Sequence, residues 1–305
     1  MSCARIFLFS YHKYCDITVS DMKKSVLLLM SLFSVITACS SKEEEETVVN
    51  DSYGVFLGAN DSDFDKIKTY KNILIDVDEF SSLHMAYFKE HEINVYAYLS
   101  VGSLEKYRPY YEEFKNLTFM DYDHWPDERW VDVSNSSWQN HIASEADRLK
   151  SLGATGLFMD NFDVYYIANE EYECSSSFRE GIYNGCKSIL SSLSTKDLKL
   201  IINSGTDFLE RLDEEHNSLI NAIDVYAQEC VFSSIEDYDR DIFGQQDKET
   251  QDYYKDIINL MKNKSDILLI EYTKNESLKE QIKNYCNSNN FYYYISSTVD
   301  LKPTI

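Results

Sequence analysis

Carboxylates close one apolar run after another in this sequence, and that placement is the first sign of chemistry. In GLFMDNFDVY, residues 156–165, a stretch suited to a buried strand leads into Asp160, and Asp163 follows. Acids often mark where a strand leaves the core, and Asp163 is suited to capping a helix. The pattern recurs, however. NILIDVD ends in Asp76 and Asp78, AIDVYAQE in Gln228 and Glu229, and DILLIEY in Glu271 and Tyr272. LKLIIN ends in Asn203 with Ser204 behind it, and NVYAYLSV carries Ser100 near its end, with Glu105 and Arg108 just beyond. Glu229 is the most telling of these acids, because Val231 and Phe232 follow it closely. An unpaired buried charge is costly, so a carboxylate there needs a partner or a task. The bland alternative is an internal salt bridge, for which Arg108 is a candidate. No nucleophilic Ser or Cys motif and no HExxH occurs, and His84, His91, His124, His141 and His216 fall in expected helices or loops. Carboxylate chemistry remains. Two carboxylates flanking a glycosidic bond cleave it, one protonating the leaving oxygen and the other acting as nucleophile or as base toward water. Burial and neighbouring negative charge keep such an acid protonated near neutral pH. No metal or organic cofactor is implied.

The elements that must hold these residues alternate in texture. Eight β-rich runs occur at 53–59, 72–78, 94–101, 156–161, 198–203, 222–229, 266–272 and 291–297, the last carrying Tyr292, Tyr293 and Tyr294. Helical patterns lie between them. In SWQNHIASEADRLKSLGA, Trp138, Ile142, Ala146 and Leu149 share one face, and Gly153 suits a C-terminal stop. In ESLKEQIKNYC, Leu278, Ile282, Tyr285 and Cys286 fall at helical spacing. Strands alternating with helices predict parallel β/α topology, and continuous apolar runs fit strands covered on both faces. Eight such units match the size of a single-domain (β/α)8 TIM barrel, whose active sites lie at the C-terminal ends of the strands. The alternative, an open doubly wound sheet, usually carries a glycine-rich phosphate turn, and none is present. The long gap from Val101 to Gly156 predicts a third βα loop lying over the catalytic face.

Composition and the leading residues narrow the setting. Acids outnumber bases 52 to 29, for a formal charge of −23. Phosphate binding needs Lys and Arg, so nucleic acid is excluded as an expected partner and a cationic one is favoured; solubility alone is the competing explanation. The 24 Tyr residues suit sugar grooves but also fit a compositional bias. From Met22 the chain reads MKKSVLLLMSLFSVITAC: a basic start, an apolar run, then small residues before Cys39. That is the layout of a secretory signal, and ITAC resembles a bacterial lipoprotein box. The expected organisation is an upstream mis-start at 1–21, a lipoprotein signal peptide at 22–38, an acidic tether at 39–50 and the barrel at 51–305, with Cys39 lipidated. The protein is then exported and lipid-anchored to a bacterial membrane, with periplasmic and cell-surface placement both open. Beyond Cys39 the cysteines are Cys174, Cys186, Cys230 and Cys286; Cys174 and Cys186 are nearest, but spacing does not establish a bond.

AYLSVGSLEKYR, GLFMDNFDVY and AIDVYAQECVF, in that order, resemble glycoside hydrolase family 114, the endo-α-1,4-polygalactosaminidases, over roughly residues 53–297. The resemblance implies a (β/α)8 barrel that cuts α-1,4-linked galactosamine polymers, with Asp160 and Glu229 as the catalytic pair. It places Tyr98, Ser100, Glu105, Arg108, Asp163, Asn203 and Tyr272 at site-lining positions; the strand-end reading adds Asp76, Glu271 and Tyr293. One departure stands out: the family usually reads G-E-A-E after strand three, whereas this chain has Gly102-Ser103-Leu104-Glu105. The resulting expectation is an endo-acting glycosidase on a cationic amino-sugar polysaccharide, acting as a monomer without a cofactor, with Asp160 as nucleophile and Glu229 as acid/base, or the reverse. A glycosidase of the same fold on another glycan, and a non-catalytic polysaccharide-binding surface lipoprotein, are the rivals.

Overall fold

The computed structural model describes residues 52–303. Residues 1–51, which hold the expected mis-start, signal segment, Cys39 and tether, lie outside the described residues. All eight expected strands form, in the expected order: β1 (Tyr53–Val55), β2 (Asn72–Ile75), β3 (Asn94–Ser100), β4 (Gly156–Asp160), β5 (Lys199–Asn203), β6 (Val225–Glu229), β7 (Asp266–Tyr272) and β8 (Tyr292–Ser296). Each pairs in parallel with the next to make one eight-stranded sheet. The sheet curls into a nearly closed (β/α)8 barrel. Among the described residues no ladder joins β1 to β8; rings meet there instead, Tyr53 with Tyr292 at 4.9 Å and Phe56 with Tyr294 at 5.4 Å between centroids.

Strand pleating sorts side chains into two cores, because successive residues point to opposite faces. One core fills the barrel with Tyr53, Leu74, Tyr96, Phe158, Ile201 and Leu268. The other lies between strands and helices and takes the alternate residues, such as Leu157, Met159, Ile202 and Leu269. The helix Ser136–Ser151 buries Trp138, Ile142, Ala146 and Leu149, as the spacing predicts. Asn135 caps its start by accepting from the Ser137 N–H at 2.9 Å, and Gly153 follows its end at φ +110°, a conformation only glycine adopts freely. The helix Glu276–Asn289 buries Leu278, Ile282 and Cys286. Among the described residues no helix is long and apolar enough to cross a membrane. Cys174, Cys186, Cys230 and Cys286 are all free thiols.

Two insertions leave the C-terminal ends of the strands. Between β3 and β4, the segments Ser103–Glu105, Thr118–Asp121 and Glu128–Val131 form a small antiparallel sheet with Glu128–Val131 at its centre. Between β6 and β7, Ser233–Asp237 and Ile242–Gln245 form a hairpin. The insertions touch: the His124 ring stacks on Tyr238 at 4.4 Å, and Trp125 meets the same ring edge-on at 6.4 Å.

Candidate active site

Parity along the strands decides which strand-end residues can meet. Phe158 fills the barrel, so Asp160, two residues on, faces the same way. Ile201 brings Asn203, Ala227 brings Glu229, Ile270 brings Tyr272 and Tyr96 brings Tyr98 to the uppermost inward layer. There Asn203 joins the two acids. Its Nδ2 donates to Asp160 Oδ1 at 3.0 Å and to Glu229 Oε1 at 2.7 Å. The Tyr272 hydroxyl donates to Glu229 Oε2 at 2.6 Å. Asp160 Oδ1 also accepts from the Asn161 N–H at 2.9 Å, while Oδ2 takes part in none of these bonds. Glu229 is thus held by both oxygens and Asp160 by one.

The backbone turns sharply behind each of these residues. Asn161, Ser204 and Cys230, which follow Asp160, Asn203 and Glu229, all have φ between +52° and +68°. Ser and Cys rarely adopt that region, and holding them there costs on the order of 1–3 kcal/mol each. Surrounding bonds fix the corners. Asn161 Nδ2 donates to Ser100 Oγ at 3.0 Å and Ser103 Oγ at 3.1 Å, and its Oδ1 accepts from the Tyr122 hydroxyl at 2.8 Å. Gly102 packs so closely that a Cβ there would lie 1.9 Å from the Asn161 carbonyl oxygen. Asp163 accepts from the Gly205 N–H at 3.2 Å, tying the loop after β4 to the loop after β5.

Burial, then the charge of Glu229, pushes the Asp160 carboxyl up to about 7. Burial and the charge of Asp160 carry Asp163 to about 7 as well.

At the rim, Arg108 is clamped by acids. Its guanidinium pairs with Asp76 at 2.9 Å and with Glu105, and its charge lies 5.8 Å from the centre of the Tyr98 ring. The Tyr107 hydroxyl donates to Glu105. Arg108 therefore neutralises rim acids and does not pair with Glu229, the internal salt bridge weighed from sequence. Asp78 turns outward to a two-pronged bond with Arg148 at 2.7 and 2.8 Å.

The structure brings together Asp160, Glu229, Asn203 and Tyr272, with Asp163, Tyr98, Ser100, Glu105, Arg108 and Asp76 around them. Two expected site residues stand elsewhere. Glu271 has the opposite parity to Tyr272 and is fully buried in the outer layer, where it accepts from the N–H groups of Phe232 and Ser233 at 3.0 and 2.9 Å and from the Ser233 hydroxyl at 2.6 Å. It anchors the start of the hairpin. Tyr293 pairs in register with Leu269, an outer-layer residue, and packs toward the helices. Sequence reasoning also missed two residues of the first insertion, Tyr122 and Glu128. The Tyr122 ring stacks on Trp130 at 4.3 Å. Glu128 accepts from Ser103 Oγ at 2.8 Å. The only signal was faint: ERWV places two adjacent strand-forming residues, Trp130 and Val131, shortly after Pro126.

Comparison with known proteins agrees with this geometry. The family model of glycoside-hydrolase family GH114 matches residues 37–301. Among curated proteins none matches the chain. The glycoside hydrolase domain of PelA from Pseudomonas aeruginosa superposes with TM-score 0.67 at 19% identity, over 82% of this chain and 95% of that one. Ega3 of Aspergillus fumigatus, solved in complex with galactosamine, superposes with TM-score 0.62 at 18% identity, over 84% and 94%. An α-galactosidase from Thermus thermophilus gives 0.53 at 10% identity, over 79% and 57%. At these identities the structural likenesses establish the barrel alone. The match over residues 37–301 establishes the rest: the chain belongs to glycoside-hydrolase family GH114 and is a glycoside hydrolase.

Proposed function

We propose that this glycoside hydrolase cuts α-1,4-linked galactosamine polysaccharide internally and with retention of configuration, Asp160 being the nucleophile and Glu229 the acid/base. The bridge through Asn203 carries the reading. One nitrogen reaches both carboxylates, so their nearest oxygens are no further apart than the lengths 3.0 and 2.7 Å laid end to end. That limit falls short of the about 6.5–9.5 Å that lets a water stand between inverting carboxylates, and it admits the about 5–5.5 Å of retaining ones. Asp160 keeps Oδ2 free to attack the anomeric carbon. As that bond forms, the glycosidic bond breaks and Glu229 gives its proton to the leaving oxygen. Glu229 then takes a proton from water, whose oxygen displaces Asp160 and restores its carboxylate. Asp160 attacks as the carboxylate, and burial with the charge of Glu229 raises its carboxyl to about 7, so kcat/KM is expected to rise as pH climbs toward neutrality.

The substrate follows from charge and kinship. The net charge of −23 and the acids at the mouth suit a polycation, and the Ega3 structure holds galactosamine. Incubating the protein with partly deacetylated galactosamine polymer should release oligosaccharides, seen by mass spectrometry, with the first-formed anomer read by NMR. An intact polymer would refute the substrate, and an inverted first product would refute the mechanism.

The protein is further proposed to be an exported, monomeric lipoprotein starting at Met22 and acylated on Cys39, on the strength of the basic, apolar and ITAC segments. Two or more acyl chains, at about 0.8 kcal/mol per buried CH2, anchor firmly. Cys39→Ser should leave the membrane fraction or stall in processing. A mature protein beginning at Met1 would refute this.

A further inference from the structure

Glu128 and Glu105 are direct partners across the small antiparallel sheet, with Ser103 paired to Trp130 on the same face. Like charges directly opposite are destabilising, so each acid needs compensation, and only one receives it. Glu105 has the Arg108 guanidinium and the Tyr107 hydroxyl. Arg108 is already divided between Glu105 and Asp76. Among the described residues no Lys, Arg or His forms an ion pair with Glu128; its one bond, from Ser103 Oγ, engages Oε2 alone. That Ser103 hydroxyl also accepts from Asn161, the residue directly behind Asp160. Glu128 is therefore fixed two hydrogen bonds from the corner that carries the nucleophile. It is half-buried, and burial together with Glu105 and Asp160 pushes its carboxyl up to about 7. Arg108 acts on Glu128 only from a distance, so among the described residues the fold holds an acid with no ion pair at the edge of the catalytic layer, where it costs stability.

We infer that Glu128 is a specificity-determining residue: its free oxygen receives the C2 ammonium of a galactosamine unit bound at Asp160, and this selects free-amine sugars over N-acetylated ones. An ammonium offers three donors and a full charge to this acceptor-rich corner. An acetamide offers one donor, no charge and an acyl group that must fit beside Ser103 and Trp130. The inference rests on the amino-sugar reading above but assigns the preference to one side chain.

Non-cleavable ligands test it apart from hydrolysis. Galactosamine and N-acetylgalactosamine are titrated by NMR against the protein, against Glu128→Gln and against Glu128→Asp, at pH 7.5, where Glu128 is mostly ionised, and low salt. The protein should prefer galactosamine by about tenfold or more, the scale of one charged hydrogen bond. Glu128→Gln should bring the ratio near one, and Glu128→Asp should keep part of it. Glu128→Gln should not lower Tm, since it removes a like-charge opposition; a purely structural acid would give a fall. No preference in the parent protein, an unchanged ratio in Glu128→Gln, or loss of fold in both variants would each overturn the inference. If the protein shows the preference but cleaves no galactosamine polymer, the assignment of Glu128 stands and the hydrolytic reading fails.

Discussion

Glu229 and Glu271 lie at the ends of adjacent strands, each in an apolar run, yet they occupy opposite sides of the sheet. Glu229 shares its face with Ala227 and meets Asn203 and Tyr272 inside the barrel mouth. Glu271 is one pleat out of phase and spends its carboxylate on the backbone of residues 232 and 233. The lesson is that in a two-sided sheet a buried acid acquires its role from parity. Facing in, it meets groups from several strands around a space a ligand can enter. Facing out, it finds the backbone and the Ser233 hydroxyl at the start of one hairpin to satisfy.

Four measurements can break or sharpen this contrast. The largest effect is expected from the inward pair. Asp160→Asn and Glu229→Gln should each lower kcat by about 10²–10⁴-fold or more while leaving Tm within a few degrees. A fully active Glu229→Gln protein would end the distinction. Glu271→Gln should do the opposite. An amide cannot accept all the donors that converge on Glu271, so stability should fall by about 1–3 kcal/mol, or about 2–4 °C in Tm for each kcal/mol, with kcat per folded molecule nearly preserved. Loss of kcat at full stability would move Glu271 into the site. Tyr272→Phe, on the inward face, removes one hydrogen bond from Glu229 and should cost about tenfold in kcat/KM with Tm nearly unchanged. An unchanged kcat/KM would make Tyr272 mere packing.

The smallest effect concerns pH. Burial raises Glu271 to about 7. A raised acid keeps its proton in the fold while the unfolded chain has released it, so its stabilising contribution is complete below about 4.5 and is lost as pH climbs to about 7. The protein should therefore melt a few degrees lower at pH 8 than at pH 5, and Glu271→Gln should flatten that slope. An equal slope in both would assign it to the other raised acids, Asp160, Asp163 and Glu128 among them.

Much of the architecture was legible in sequence. Eight apolar runs and the helical spacing of Trp138, Ile142, Ala146 and Leu149 are signals carried by many residues at once, which burial on both strand faces enforces. Asp160, Asn203 and Glu229 were legible because each closes such a run. What escaped was phase and long-range pairing. The run DILLIEY gives no alternation from which to tell whether Glu271 or Tyr272 faces inward, since both faces are apolar. Tyr293, among three consecutive tyrosines, is equally mute. Glu128 lay inside a segment read only as a loop, and its link to Ser103 spans 25 residues, a separation over which local pattern carries no information.

The join between β1 and β8 has a consequence for how the molecule opens. Every other pair of neighbouring strands is laced by backbone hydrogen bonds, whereas this one is closed by rings. Aromatic contacts resist separation weakly and can slide, while a ladder must break bond by bond. Under heat or tension the cylinder should therefore unroll from this line, as a scroll does from its free edge. Deuterium should enter the amides of β1 and β8 long before it reaches β4 and β6, so that the carboxylate pair rides on the last part of the molecule to come undone.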